Sequence, residues 1–394
     1  MFDTLKQQPS DSILRLIGMF RDDPRPAKID LGVGVYRDEY GTTPVFRAVK
    51  EAERDLLETQ ASKAYLGPEG NARFLELIGP IIFGAKAAGS DRVAGMQTPG
   101  GGGALRLAAE LIAAANPKAT VWLGTPTWPN HAPIMAVAGL QVATYQWFDP
   151  ETQTAHFQGM VDALSTAQPG DVVLLHGCCH NPTGADLTAE QWRYLAEFLG
   201  QRGLIPFIDL AYQGLGDGLE ADALGLRTVL GAVDEAIVAY SCNKNFGLYR
   251  ERCGALFVKA RTAQELAVTC GNMASLIRVN WSMPPDHGAA VVSAVLDNPS
   301  LKALWLDELQ TMRDRLKEVR EGLVGQHPML RSMSALNGLF AQLPLSLDAV
   351  LRLRKDYGIY MLDSARINVA GLRMNQIGYF SSALADVSDL RVPA

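Results

Sequence analysis

Leu204-Ile205-Pro206-Phe207-Ile208-Asp209-Leu210-Ala211-Tyr212-Gln213-Gly214 decides how the rest of the chain is read. A short apolar run rich in Ile and Phe ends on a carboxylate and then on a polar turn. Such a run, bounded by turn residues, reads as a strand buried on both faces. Similar runs lie at Thr120–Leu123, Val172–Leu175, Ala236–Ala239 and Ala255–Val258. Helical patterns stand among them at Ala104–Ala115, Thr188–Leu199 and Ala263–Ile277, and Thr188 with Gln191 forms a capping-box signature. This alternation predicts an α/β domain around a mostly parallel sheet. Further on, Trp305, Leu309, Met312, Leu316, Val319 and Leu323 recur in steps of three and four within Leu301–Val324. That spacing predicts one amphipathic helix bridging two domains of the same chain. The domain change falls inside it, and the tail from Gly325 on forms a smaller domain with part of the first 43 residues.

Composition sets outer bounds. The chain has 394 residues, with Lys+Arg 36 against Asp+Glu 42 and a net charge of -6, so it has no basic footprint for nucleic acid. Hydrophobic residues make up 48%, enough to bury a large core without disulfide or metal staples. No apolar run approaches the ~18 residues a membrane span needs. Met1–Ser10 is polar and contains Asp3, unlike a signal peptide. Of the 5 cysteines, Cys178 and Cys179 are adjacent and no C-x-x-C occurs. That pattern suits reduced thiols in a cytoplasm rather than a disulfide frame or a zinc site.

Four stretches carry candidate chemistry. Thr98-Pro99 followed by Gly100 to Gly103 precedes an Ala/Leu helix; it reads either as a flexible turn or as a backbone cradle for an anion at a helix N-terminus. Leu174 to Gly184 ends an apolar strand in His176, Cys178, Cys179, His180 and Asn181. His176 and His180 could form a metal pair, but with no helix and no carboxylate nearby they read as packing or supporting groups, and no metal is expected. Asp209 closes its apolar run, so its carboxylate either meets a cationic partner or caps a helix. Lys244, in Ser241-Cys242-Asn243-Lys244-Asn245-Phe246-Gly247, follows another apolar run and is either a desolvated amine nucleophile or a surface group. One cofactor needs all of these features together. Pyridoxal phosphate requires a lysine, a carboxylate for its ring nitrogen and a phosphate cradle.

These motifs, with Asp30-Leu31-Gly32-Val33-Gly34-Val35-Tyr36 and Arg366-Ile367-Asn368-Val369-Ala370-Gly371 near the two ends, resemble the fold-type I, pyridoxal-phosphate-dependent aminotransferases of the aspartate and aromatic amino-acid branch. The resemblance runs over nearly the whole chain. It implies a large cofactor domain with a mostly parallel sheet (44–311), a small α/β domain (11–43 and 312–394) and an N-terminal arm (1–10). It further implies that Lys244 forms the Schiff base and shuttles a proton, that Asp209 pairs with the pyridine nitrogen, and that His131 supports Asp209. Tyr212 and Asn181 would bond the phenolic oxygen, and Trp128 would stack on the ring. Lys244, Asp209, Tyr212 and Trp128 are thus the implied catalytic set. The implied phosphate cradle is Ser241, Arg252, the amides of Gly101 and Gly102, and Tyr65 of a second copy. Arg366 would take the substrate α-carboxylate, Gly34 would approach the substrate through its backbone beside Trp128 and Asn181, and Arg278 would reach across a homodimer to a distal carboxylate. Two positions depart from the family pattern: Gly102 stands where threonine or serine is common, and Asn243 where serine is frequent.

Ala64 and Met283 replace asparagines common in aspartate-type members, and Trp281 replaces a frequent tyrosine, which softens the lining for a ring. Arg37 and Thr43 look aspartate-like, whereas Tyr249-Arg250-Glu251-Arg252-Cys253-Gly254 and Asp209-Leu210-Ala211-Tyr212-Gln213-Gly214 resemble bacterial aromatic members. The expectation is a cytoplasmic aromatic amino-acid aminotransferase that uses 2-oxoglutarate, acting on small amino acids and 2-oxo acids and not on nucleic acid or membrane. The alternatives are a narrow aspartate aminotransferase, a lyase on the same cofactor, or a non-catalytic ligand sensor.

Overall fold

A computed structural model describes residues 1–7 and 12–387. Residues 8–11 of the expected arm and small domain, and 388–394 at the expected end of the small domain, lie outside the described residues.

The chain divides into two compact units. The larger comprises Pro44–Asp314 and Leu336–Gly338. Its centre is a seven-stranded sheet built from β1 (Val93–Pro99), β2 (Thr120–Thr125), β3 (Gln141–Gln146), β4 (Val172–His176), β5 (Ile205–Leu210), β6 (Ala236–Ser241) and β7 (Cys253–Lys259). The spatial order is β1-β7-β6-β5-β4-β2-β3, and only β7 runs against its neighbours. Every residue of β4 and β6 is buried, as a parallel sheet covered on both faces requires. Five strands begin near where the apolar runs begin.

Helix α1 (Gly100–Ala115) starts earlier than the Ala104 start read from the sequence, because all four glycines are wound into its first turn and a half. The glycine run is therefore the helix N-terminus itself, not a turn before it. Helix α2 is His131–Val137. Helix α3 (Ala189–Arg202) opens on the capping box of Thr188 and Gln191 and closes on Gly203 in the left-handed region. Helix α4 (Ala263–Asn280) runs almost a turn beyond Ile277, which places Arg278 in its last turn. One face of α1 packs with Val121, Leu174, Phe207, Ala239 and Leu256 of the strands into the main core.

Helix α5 (Pro299–Leu323) is the amphipathic helix expected from its spacing. Trp305, Leu309, Met312, Leu316, Val319 and Leu323 are all buried. Trp305 stacks on Phe246 at 4.4 Å and donates its indole N–H to the Asn245 carbonyl at 2.7 Å. The segment just after Lys244 is thereby pinned from behind.

The smaller unit falls within Met1–Thr43, Arg315–Ala335 and Leu339–Ala394. Ile29–Asp30 pairs in parallel with Ile359–Tyr360, and Phe340–Gln342 pairs antiparallel with Arg366–Asn368. Leu347–Tyr357 is a helix capped by Ser346 at its start and Gly358 at its end. Among the described residues no helix is long and apolar enough to cross a membrane.

Candidate active site

The carboxyl ends of β4, β5 and β6 deliver His176, Asp209 and Ser241 to one place. In open α/β sheets ligands bind beyond such strand ends. A cavity of about 110 Å³ is lined there by Gly101, Gly102, Leu105, Trp128, His176, Asn181, Asp209, Ala211, Tyr212, Ser241, Asn243, Lys244 and Arg252. A larger cavity of about 880 Å³ lies at the opposite ends of the same strands, around Val172, Ile205 and Ala236. None of the candidate catalytic or binding residues lines it, whereas the smaller cavity is lined by many of them.

Asp209 sits inside β5, not at a helix start, so the capping role left open by the sequence is excluded. It is 6% exposed, and its Oδ2 lies 3.1 Å from His131 Nε2. His131 Nδ1 in turn meets Thr127 Oγ1 at 2.8 Å, so the imidazole is held at both nitrogens. Burial pushes the Asp209 carboxyl up. The His131 hydrogen bond, helped by the nearby Lys244 charge, outweighs it, leaving the group below the usual carboxylate range. The second oxygen, Oδ1, is buried with no hydrogen-bond partner.

Lys244 Nζ stands 5.1 Å from the centre of the Tyr212 ring. Burial pulls the amine down to about 8; Asp209 opposes this and Arg252 adds to it. Near neutral pH a usable fraction is therefore the free base, which an ordinary lysine lacks.

Opposite these groups is an anion cradle. Gly100 has φ 69°, and a Cβ there would sit 2.7 Å from Arg252 Nη2. A Cβ on Gly101 would meet Ser241 Cβ at 3.1 Å. Only glycine allows the first turn of α1 to close this tightly on the arginine. Arg252 itself is held at φ 53°. A helix N-terminus, a hydroxyl and a guanidinium thus converge on one point.

The sequence placed no carboxylate near His176 and His180, and this is corrected. His176 pairs in register with Asp209 across β4 and β5, and ligand atoms of His131, His176 and Asp209 lie within 4.8 Å of one another. The rings form a row: Trp128 edge-on to His131 at 5.3 Å, His131 to His176 at 5.2 Å, His176 to His180 at 4.2 Å, and His180 stacked on Trp147 at 4.7 Å. Burial and the neighbouring His131 pull His176 down to about 3 despite Asp209, and burial also holds His180 well below the usual range. His176 and His180 are neutral at pH 7 and pack behind the carboxylate. The cysteines expected beside these motifs are buried at Cys178, Cys179, Cys242 and Cys253.

Sequence reasoning missed Leu105, Ala211, His176 and Asn243 as cavity walls. Of these, Asn243 stood out beforehand as a departure from a family pattern and His176 as a packing or supporting group. The other expected site residues lie outside the cavity. Tyr65 is 95% exposed and Arg278 is exposed on α4, where it donates to Ser282 Oγ. In the smaller unit, Arg366 donates to the Gly32 carbonyl at 2.7 Å and lies 4.3 Å from the Phe340 ring centre, the same ring that a Cβ on Gly34 would touch at 3.0 Å.

Comparison with known proteins adds the lineage. The profile of the family described as Aminotransferase class I and II matches residues 26–384. The chain belongs to this family. Class I and II aminotransferases are transaminases, and so this chain is an enzyme. It is 53% identical to a tyrosine aminotransferase of Rhizobium meliloti (strain 1021), over 95% of this chain and 96% of that one. It is 46% identical to an aromatic-amino-acid aminotransferase of Paracoccus denitrificans (98% and 100%) and 44% identical to an aspartate aminotransferase of Salmonella typhi (98% and 100%). Its fold superposes with TM-score 0.95 on an aromatic-amino-acid aminotransferase from Burkholderia pseudomallei covalently bound to pyridoxal phosphate, at 39% identity over 98% of this chain and 99% of that one.

Proposed function

We propose that this aminotransferase uses pyridoxal phosphate to move the amino group of aromatic and dicarboxylic amino acids onto 2-oxoglutarate, as a cytoplasmic homodimer. One observation carries the reading. Lys244 and Asp209 line a single cavity, the amine driven towards neutrality and the carboxyl towards charge. The residues fit the cofactor, because the partnerless Oδ1 of Asp209 is an acceptor waiting for a ring N–H, and the cradle of Gly101, Gly102, Ser241 and Arg252 suits a phosphate.

When bound, pyridoxal phosphate supplies a carbonyl that exchanges with the amino group and a ring that withdraws electrons from the substrate Cα. Lys244 would hold the cofactor through its Nζ, and the same amine, once released, would act as the base that moves the proton at the substrate Cα. Asp209, steadied by His131, keeps a proton on the ring nitrogen. Tyr212 and Asn181 donate to the phenolic oxygen, and Trp128 covers the ring face. Arg366 receives the α-carboxylate, with Gly34 beside it, and Arg278 and Tyr65 act in the partner's site. Lys244→Ala is expected to abolish both half-reactions in single-turnover assays; a variant that still cycles would remove Lys244 from this role.

For the aromatic preference, support comes from the apolar Ala64, Met283 and Trp281 and from the names of the Rhizobium meliloti and Paracoccus denitrificans relatives. Trp281 packs against the same core cluster as Trp128. The second reading, a narrow aspartate aminotransferase, is favoured by Arg37, Thr43 and the Salmonella typhi relative. Comparing kcat/KM for phenylalanine and aspartate decides between them. Comparable values support the broad enzyme, and an aspartate advantage of several orders of magnitude overturns it.

A further inference from the structure

Gly102 and Asn243 are two departures from the family pattern that meet in one cavity. At Gly102 a Cβ would find nothing within 4 Å, so the space for a side chain exists and is unused. Asn243 is a polar side chain only 6% exposed, and its Oδ1 has no hydrogen-bond partner. Buried amides are nearly always bonded, and those that are not call for an explanation. Its backbone is fixed, the N–H meeting Ser241 Oγ at 3.3 Å, so the side chain starts beside a cradle residue. Lys244 follows it directly, and Arg252, Gly101 and Gly102 line the same walls.

We propose that Asn243 is a phosphate-binding residue of this enzyme, its side-chain amide donating to the cofactor's phosphate in place of the hydroxyl that position 102 lacks. An amide can supply the donor that a serine or threonine would give, and donation to a dianion is among the stronger hydrogen bonds. Oδ1 itself can only accept and would not bond a phosphate; because no hydrogen bond fixes that end, the amide can rotate to present its N–H₂ to the cavity it lines with Ser241, Arg252, Gly101 and Gly102. This rests on the cofactor reading above and extends it to a residue that the family resemblance leaves without a role.

The test uses apoenzyme and two probes, pyridoxamine 5′-phosphate and pyridoxamine, neither of which forms a Schiff base with Lys244. Affinities are measured by calorimetry, and folding of each variant by circular dichroism. The ratio of the two affinities reads the phosphate contact alone. Asn243→Ala is expected to lower that ratio about tenfold with pyridoxamine binding unchanged. Asn243→Asp, equal in shape but anionic, is expected to lower it further. Gly102→Ser introduced into Asn243→Ala is expected to restore much of the loss. Equal weakening of both probes, or an unchanged ratio in either Asn243 variant, overturns the assignment. A wild-type enzyme with no preference for the phosphorylated probe overturns the cofactor reading, and Asn243's role with it, which is a distinct result.

Discussion

Lys244 shows what burial does to one amine. In a flexible chain a lysine titrates near 10.5; here burial brings it to about 8. The folded state therefore holds its proton less tightly than the unfolded one, and between pH 8 and 10.5 the unfolded chain binds more protons. Stability contributed by this residue thus rises with pH across that window, and below pH 8 the buried charge is a standing cost of up to about 3 kcal/mol. Lys244→Met in apoenzyme is expected to be more stable than wild type at pH 7, by roughly 1–3 kcal/mol, with the gap closing towards pH 10. Urea midpoints across that range measure it, and a gap that stays constant with pH would mean that Lys244 keeps an ordinary pKa. In sequence the apolar run before Lys244 left it either a nucleophile or a surface group, and only its company with Asp209 and the glycine run, together with the family resemblance, pointed to its chemistry. The depressed pKa was not legible there, because it comes first from burial of the amine, which elements far apart in the chain provide, and Asp209, 35 residues earlier, opposes it.

At the scale of elements, the loops after β4 and β5 are set by two carboxylates that the motifs did not reveal, Asp222 buried and Asp186 half-buried. Asp222 accepts from the N–H groups of Gly214, Gly216 and Asp217, shaping the turn that follows Tyr212. Asp186 accepts from the N–H of Cys179 at 3.0 Å and of His180 at 3.2 Å, and from Asn337 Nδ2 at 3.4 Å. It holds Cys179 at φ 51° and so positions the segment that presents Asn181. Burial raises Asp186 to about 6, with Asp222 adding to the rise and the two N–H bonds opposing it. A carboxyl whose pKa is raised from 3.8 to about 6 takes up a proton on folding between those values, so its contribution improves as pH falls from 7 towards 4. Asp186→Ala strands two buried N–H groups and is expected to lose about 2–4 kcal/mol in urea unfolding at pH 7. Asp186→Asn keeps an acceptor without the charge and is expected to lie near wild type at pH 7 and to fall behind it by pH 5. If wild type and Asp186→Asn keep a constant difference from pH 7 to 4, the carboxyl does not titrate in that range. The strands and helices were readable because periodicity and capping are local signals. The loop geometry was not, because an aspartate bonding backbone N–H groups 5 to 8 residues away follows no periodic pattern, and one bond reaches 151 residues on, to Asn337.

For the whole molecule, the question is whether one chain completes a site. The cavity walls all come from the larger unit, while Tyr65 and Arg278 of that unit are exposed. Val279, next to Arg278 in the chain, is an apolar side chain left 85% exposed. An exposed apolar side chain beside a residue expected to serve a site suits an interface between copies. If each site takes Lys244 from one chain and Arg278 from the other, two disabled chains can rebuild one working site. Mixing Lys244→Ala subunits with Arg278→Ala subunits by co-refolding is the measurement, with aspartate as donor because Arg278 answers to a distal carboxylate. In a mixed dimer one site receives both defects and the other receives neither. Random pairing makes half the dimers mixed, so activity is expected to recover to about a quarter of wild type, from near zero in each parent. Recovery requires exchange of subunits and is absent when the two proteins are combined without unfolding. If co-refolded mixtures stay at the level of the parents while gel filtration shows dimers, each site is built from a single chain, and Arg278 acts in its own subunit or not at all.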